Sequence, residues 1–275
     1  MATLPWSLGR YDVQRLDEGL ALVAFRGDEP LGTDALARSM LWRCLLGGAI
    51  SLGIGCAAAA ISLVIGVAWG AAAGYAGGRT DAVLMRIVDV LYGLPYILLV
   101  VLLDLALKPS VHKATQVVMG GDAAAGFADV VTLLLAIGGI SWLTMARVIR
   151  GQVLSLRARP FVEAARASGA GGRRIFLHHL LPNLVGPIVV YATLTVPLAI
   201  LQESFLSFLG IGVQLPLPSW GNLAAEGMDH IHAIGRRWWL LLWPCLFLGL
   251  TLMALNFLGE ALRERLDPRG RGRPV

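Results

Sequence analysis

The sequence predicts an all-α, polytopic membrane protein, and three observations carry that prediction. Of its 275 residues, 56% are hydrophobic and only 15% are charged, whereas soluble domains carry about a quarter charged residues. Charge-free runs long enough to cross a bilayer recur along the chain. The arginines gather in the intervals between those runs. A soluble core does not need this much apolar sequence, but a membrane bundle does.

The net charge is +5, and Lys108 and Lys113 are the only lysines. At this hydropathy an arginine excess marks membrane faces, so lipid is the expected surrounding and no nucleic-acid partner is expected. Cys44, Cys56 and Cys245 lie in or beside apolar runs, with no Cys-x-x-Cys pair. Neither a disulfide framework nor a zinc site is supported, no metal site is expected, and all three are expected to be buried as small apolar residues. Residues 10–43 are mixed and charged, unlike the charged-then-apolar order of a signal peptide.

A transmembrane helix needs about 20 mostly apolar residues, and the gaps between charges give five candidates. Residues 44–78 carry no charge and hold one span over 48–74. The second run, 87–107, is bounded by Arg86 and Lys108 and contains Asp89 and Asp104. A third covers 130–146, a fourth 175–202 ending before Glu203, and a fifth 238–259 ending before Glu260. Gly53, Gly55, Gly66, Gly70 and Gly74 alternate with alanines in the first span. Small residues let backbones approach closely in lipid, so this helix is expected to pack against protein. Asp89 and Asp104 sit near span ends, where water or an arginine can neutralise them, so a proton-relay role is not favoured. Pro95 and Pro197 each predict a kink or hinge. His178 and His179, at the head of the fourth span, need neither a metal nor a proton-transfer role.

Orientation follows from the arginines. Arg147, Arg150, Arg157, Arg159, Arg166, Arg173 and Arg174 stand between the third and fourth spans against one acid, Glu163. The tail adds Arg263, Arg265, Arg269, Arg271 and Arg273. The positive-inside rule places both in the cytoplasm. Residues 108–128 then fall outside, as does the N-terminal segment 1–43. Three regions result: an external segment 1–43, a transmembrane domain 44–262 with a cytoplasmic loop 147–182, and a basic cytoplasmic tail 263–275. An external N-terminus without a leader leaves two expectations: either the first span itself translocates it, or a span preceding this sequence is missing.

The outer stretch "SFLSFLGIGVQLPLPSWG" is too apolar for an ordinary solvated loop and too interrupted by Gly210, Gly212, Pro216 and Pro218 for a straight helix. Such backbone is tolerated at membrane depth where protein or a water-filled cavity surrounds it. Glu203, Phe205, Phe208, Gln214 and Trp220 are the candidate pathway or outer-gate residues here, with packing as the competing role.

Between the third and fourth spans, Pro160 suits the first turn of a short helix. Glu163 lies near that helix's positive end, and Gly169, Gly171 and Gly172 terminate it. A second helix is expected over "RRIFLHHLL", ending at Pro182, the pair lying flat on the cytoplasmic face. The chain has no Gly-Lys pair, which rules out a P-loop. A DNA-reading helix would need a free recognition face, but the second helix is apolar and runs into a span. A plain basic connector explains the arginines but not the small face of Ala164, Ala165, Ala167 and Ser168. A short small-faced helix with one acid suits a groove on a partner protein.

These residues resemble a known family. "EAARASG" at Glu163, Ala164, Ala165, Arg166, Ser168 and Gly169, followed by Leu181 and Pro182, is similar to the EAA loop of ATP-binding-cassette (ABC) transporter permeases. His179 stands where the pattern has Ile. "PLGTD", "AGYAGG", "MRIVDVLYGLP", "PSWG" and "NFLGEALRERLDPR" resemble the dipeptide/oligopeptide/nickel branch, specifically its C-type subunit. The resemblance implies a type I importer fold in an inner membrane, normally with six spans where five are seen here. It also implies a second permease subunit, two ATP-binding subunits that carry the ATP and Mg, and an external substrate-binding protein. No catalytic residue and no directly bound cofactor are implied. Nickel, opines or peptide-like antibiotics are alternative cargoes. An autonomous secondary transporter is the reading from another class, against which stand the few intramembrane charges and the missing repeat.

Overall fold

A computed structural model describes residues 30–120, 123–231 and 237–266. Expectations for residues 1–29 and for Arg269, Arg271 and Arg273 lie outside the described residues. Among those described there is no strand, only an isolated bridge between Thr33 and Ser39. The helices are α1 (Met40–Ala76), α2 (Gly78–Tyr92), α3 (Tyr96–Met119), α4 (Ala123–Arg157), α5 (Pro160–Ala167), α6 (Gly172–Ile175), α7 (Leu181–Phe208), α8 (Trp220–Ile231) and α9 (Trp239–Leu266). A π-helical turn, Phe176–Leu180, joins α6 to α7.

Among the described residues, four continuous helical stretches are long and apolar enough to cross a membrane: Met40–Ala76, Ala124–Arg157, Gly172–Phe208 and Trp239–Arg265. The second expected span is not one straight helix. α2 and α3 meet at a bend of 95° and count as one crossing only together. Pro95 has no N–H, and the residue before a proline is disfavoured in the α region. Gly93 therefore closes α2 by bonding to the Asp89 carbonyl at 3.0 Å, and Leu94 bonds to Leu91 at 3.2 Å. Pro197 breaks nothing by comparison, since α7 runs through both Pro187 and Pro197.

The expected outer loop 108–128 is also largely helical. α3 continues to Met119 and α4 begins at Ala123. Asp129 on α4 clasps α3 through Lys108 Nζ at 2.9 Å and His112 Nε2 at 3.0 Å. Of the cysteines only Cys44 is buried, while Cys56 and Cys245 are exposed. On membrane-crossing helices a weakly polar thiol suits lipid as well as it suits a core.

The described residues form two compact units. One draws on 1–56, 104–134 and 200–254. Its apolar centre is Met40, Cys44, Leu223, Trp239 and Leu240. α1 starts at Met40, four residues before the charge-free run, and so takes in Arg43, which is 2% exposed. A buried guanidinium needs partners on every side. Arg43 has them: Asp34 at 2.7 Å, and Glu226 on α8 through a two-pronged pair at 3.0 and 2.7 Å. Asp34 in turn accepts the N–H groups of Leu36 and Arg38, which shapes the turn ahead of α1.

The other unit draws on 57–103, 135–199 and 255–275. Gly66, Gly70 and Gly74 lie one turn apart on α1 and face α4. A Cβ at Gly66 would stand 2.5 Å from Met145 Cβ, and one at Gly74 2.9 Å from Val153 Cβ. At Gly70 it would overlap the Ala146 carbonyl. The expected close packing of this helix is thus against α4, on a small-residue seam. α4 also holds α2: Arg150 grips Asp81 with two bonds of 2.5 and 2.7 Å. Arg147 bonds Asp89 at 2.8 Å and lies 3.9 Å over the Tyr92 ring.

Candidate coupling site

The segment 157–182 lies wholly within the second unit. α4 ends at Arg157, whose guanidinium donates to the Gly74 carbonyl at 2.8 Å. Arg159 is extended (φ −84°, ψ 145°), and Pro160 opens α5 where its missing N–H costs nothing. Glu163 occupies the first turn and Arg166 the last, each favourable to the helix dipole.

α5 is anchored along one narrow edge. Val162 is fully buried, in a cluster with Ile149, Val153, Ile175, Leu180 and Leu184, and Ala165 and Ala170 pack against it. Glu163, Ala164, Arg166, Ala167, Ser168 and Gly169 are exposed. The helix ends in a Schellman turn: Ala170 N–H bonds to the Ala165 carbonyl at 3.0 Å and Gly169 N–H to Arg166 at 2.9 Å. Gly169 holds φ +79°, a region that penalises any side chain. Ala165 and Ala170, the pair such a turn brings together, both rest on the core.

The expected second flat helix does not exist as a separate element. Helix runs from Gly172 through Pro182 to Phe208 and is the start of the fourth span itself. An interior proline lacks a donor and clashes with the carbonyl four residues earlier. The π turn spaces that register out by one residue, with Leu181 N–H bonding to the Phe176 carbonyl. Pro182 is thereby tolerated, and Asn183 Nδ2 caps the His179 carbonyl at 2.6 Å. Tyr75 at the end of α1 fixes this start: its hydroxyl bonds the Gly172 carbonyl at 2.8 Å, and its ring lies 5.5 Å from that of Phe176. Tyr75 and Val162 were not legible as site residues: Val162 carries neither charge nor motif position, and Tyr75, though inside the "AGYAGG" stretch, lies 97 residues from its partner.

The outer-gate candidates divide. Glu203 is fully buried. Ser207 donates to Oε1 at 2.8 Å and Ser204 to Oε2 at 3.3 Å. Each carboxyl oxygen thus has one serine partner. Trp220 is buried beside it, with its N–H on Ser51 Oγ at 3.4 Å and its indole on the Cys44 carbonyl at 3.0 Å. Phe205 and Phe208 are 44% and 38% exposed, and Gln214 caps the carbonyls of Gly210 and Gly212. Residues 209–219 are non-helical, as expected. Asn222 organises them, bonding the Val213 and Leu217 carbonyls and exchanging caps with Ser219 at the head of α8.

Residues 66–272 match the family described as "Binding-protein-dependent transport system inner membrane component". This chain belongs to that family. The permease is 43% identical over 242 residues to the dipeptide transport system permease protein DppC of Bacillus subtilis, covering 88% of this chain and 69% of the relative. It is 44% identical over 240 residues to the oligopeptide transport system permease protein OppC of Haemophilus influenzae, covering 87% and 70%. In fold it matches a chain of the MetNI methionine ABC transporter, solved in inward-facing conformations. The TM-score is 0.62 at 19% identity, over 83% of this chain and 98% of that one. The permease therefore has the type I importer fold expected from the EAA-like loop.

Proposed function

We propose that this permease is the non-catalytic translocation subunit of an ABC importer for di- and oligopeptides, with its basic tail in the cytoplasm. It pairs with a second homologous permease subunit. Two ATP-binding subunits below it bind ATP and Mg and carry out hydrolysis, and an external binding protein delivers the peptide. α5 is the docking element: Glu163, Ala164, Arg166, Ser168 and Gly169 face the ATP-binding subunit, and Pro182 sits where the loop passes into the span. Closure of the ATP-binding dimer moves α5 as a rigid body, and the helix 172–208 transmits that motion into the membrane.

The observation that carries this reading is α5 itself. It exposes Glu163, Ala164 and Ala167, flanked by Phe161 and Arg166, while Val162 holds its other edge in the core. That is the form a helix takes when it inserts into a groove on another protein. The peptide relatives support the cargo class. The test is ATP-driven uptake of a labelled peptide by complexes reconstituted with Glu163→Ala or Gly169→Val. Loss of uptake with normal membrane abundance is expected, and full uptake by both variants overturns the docking role.

A further inference from the structure

Beside the coupling segment, α1 and the start of α7 enclose an open groove of about 520 Å³ that the transport reading does not use. Val64, Val67, Ala68, Tyr75, Phe176 and Leu181 are among its walls. Val64 is 66% exposed. Apart from the Tyr75 hydroxyl, already bonded to Gly172, the named side chains are wholly apolar. A peptide's amide groups would go unsatisfied there, so this is not a cargo site. From Leu63 to Tyr75 the α1 wall rises about 18 Å, close to the ~15 Å depth of one leaflet's hydrocarbon.

One end of the groove is basic. Arg157 lies 5.7 Å over the Tyr75 ring. Arg173 stands one turn before Phe176, so the two share a helix face. Among the described residues Arg173 and Arg174 have no carboxylate partner, and both are exposed. Apolar length, then a tyrosine, then guanidinium groups is the order of a lipid's acyl chain, interface and phosphate. Basic pockets between membrane helices bind anionic headgroups in this way.

We propose that this groove is a binding site for one anionic phospholipid, its acyl chain along Val64, Val67 and Phe176 and its phosphate at Arg157 and Arg173. The site is independent of the cargo and docks no other subunit. Ala68, Ala71 and Ala72 put small residues on the α1 wall, so it is the guanidinium groups at one end that select an anionic lipid over an apolar partner helix.

The full chain, purified with its co-extracted subunits in mild detergent, is titrated with dioleoylphosphatidylglycerol and dioleoylphosphatidylcholine and read by native mass spectrometry. Phosphatidylglycerol is expected to be retained about five-fold better than phosphatidylcholine. Arg173→Gln should abolish that preference, and Ala68→Phe, which fills an exposed part of the groove, should lower retention of both lipids. Arg86→Gln, an exposed arginine on α2, should change neither. Circular dichroism and gel filtration establish that each variant is folded. Equal retention of the two lipids by the unaltered protein overturns the proposal, as does an Arg173→Gln result matching Arg86→Gln. So does Ala68→Phe expelling another polypeptide while lipid retention holds, which would make the groove a subunit interface.

Discussion

The Tyr75 hydroxyl donates a 2.8 Å hydrogen bond to the carbonyl of Gly172, tying the last turn of α1 to the start of the helix that follows the coupling segment. A Cβ at position 172 would stand 2.7 Å from that hydroxyl. Gly172→Ala should therefore displace α6 and lower peptide uptake, and Tyr75→Phe alone should cost only about 1 kcal/mol. Combining the two removes the clashing oxygen. Uptake by the double variant should exceed that of Gly172→Ala, a non-additivity that contact requires. Strictly additive losses would show that this contact does not set the segment's position.

Gly169 is where coupling and folding can be separated. Alanine at φ +79° costs about 1–2 kcal/mol, so Gly169→Ala should raise amide hydrogen exchange at Ala170 about ten-fold while the membrane helices keep their protection. Glu163→Gln leaves the fold alone and should lower the uptake obtained per ATP hydrolysed. Unchanged exchange at Ala170 would contradict the Schellman turn as its determinant.

The α1 seam predicts a contrast within one helix. Gly70→Leu drives a side chain into the Ala146 backbone, whereas Gly53 has open space around its Cβ position. Overpacking costs typically about 1–3 kcal/mol, and backbone on the far side cannot yield. Gly70→Leu should cut the amount of folded permease in membranes, measured by protease resistance, and Gly53→Leu should not. Equal behaviour would mean that α1 and α4 do not pack on this seam.

Glu203 separates packing from transport. Glu203→Ala strands buried serine hydroxyls, each worth about 1–3 kcal/mol when unsatisfied, and should lower the thermal stability of the purified protein. Glu203→Gln keeps the shape and an acceptor, and should retain most stability and uptake. If Glu203→Gln keeps its stability but loses uptake, the carboxylate acts on the pathway and not only on Ser204 and Ser207.

Sidedness is open to chemical labelling. Ala35 and Ala167 are both exposed, and the positive-inside rule predicts opposite faces of the membrane for them. In intact cells a membrane-impermeant maleimide should label Ala35→Cys and spare Ala167→Cys. The reverse pattern would invert the topology.

Helix α5 was legible because its signals are local. Pro160, Glu163 and Gly169 mark a start, a first turn and an end within ten residues, and the structure places each in that role. Pro182 was misjudged by the same local logic, since a proline ends a helix only if the register cannot adapt. The π turn at Phe176–Leu180 adapts it. The break at Gly93–Pro95 was legible as a kink, but its 95° size was not.

By itself the sequence determined that this chain belongs in lipid, how many apolar runs it offers, and which short helix stands apart from them. Composition, run length and turn residues act within a few positions, so they can be read in order along the chain. Only the tertiary structure decided that Arg43 is buried against Asp34 and Glu226, that the Trp220 indole donates to the Cys44 carbonyl, and that Tyr75 holds Gly172. Those pairings join residues up to 183 positions apart. Their physical cause is the need of each buried charge or donor for a partner, and the chain's order does not say where that partner will come from.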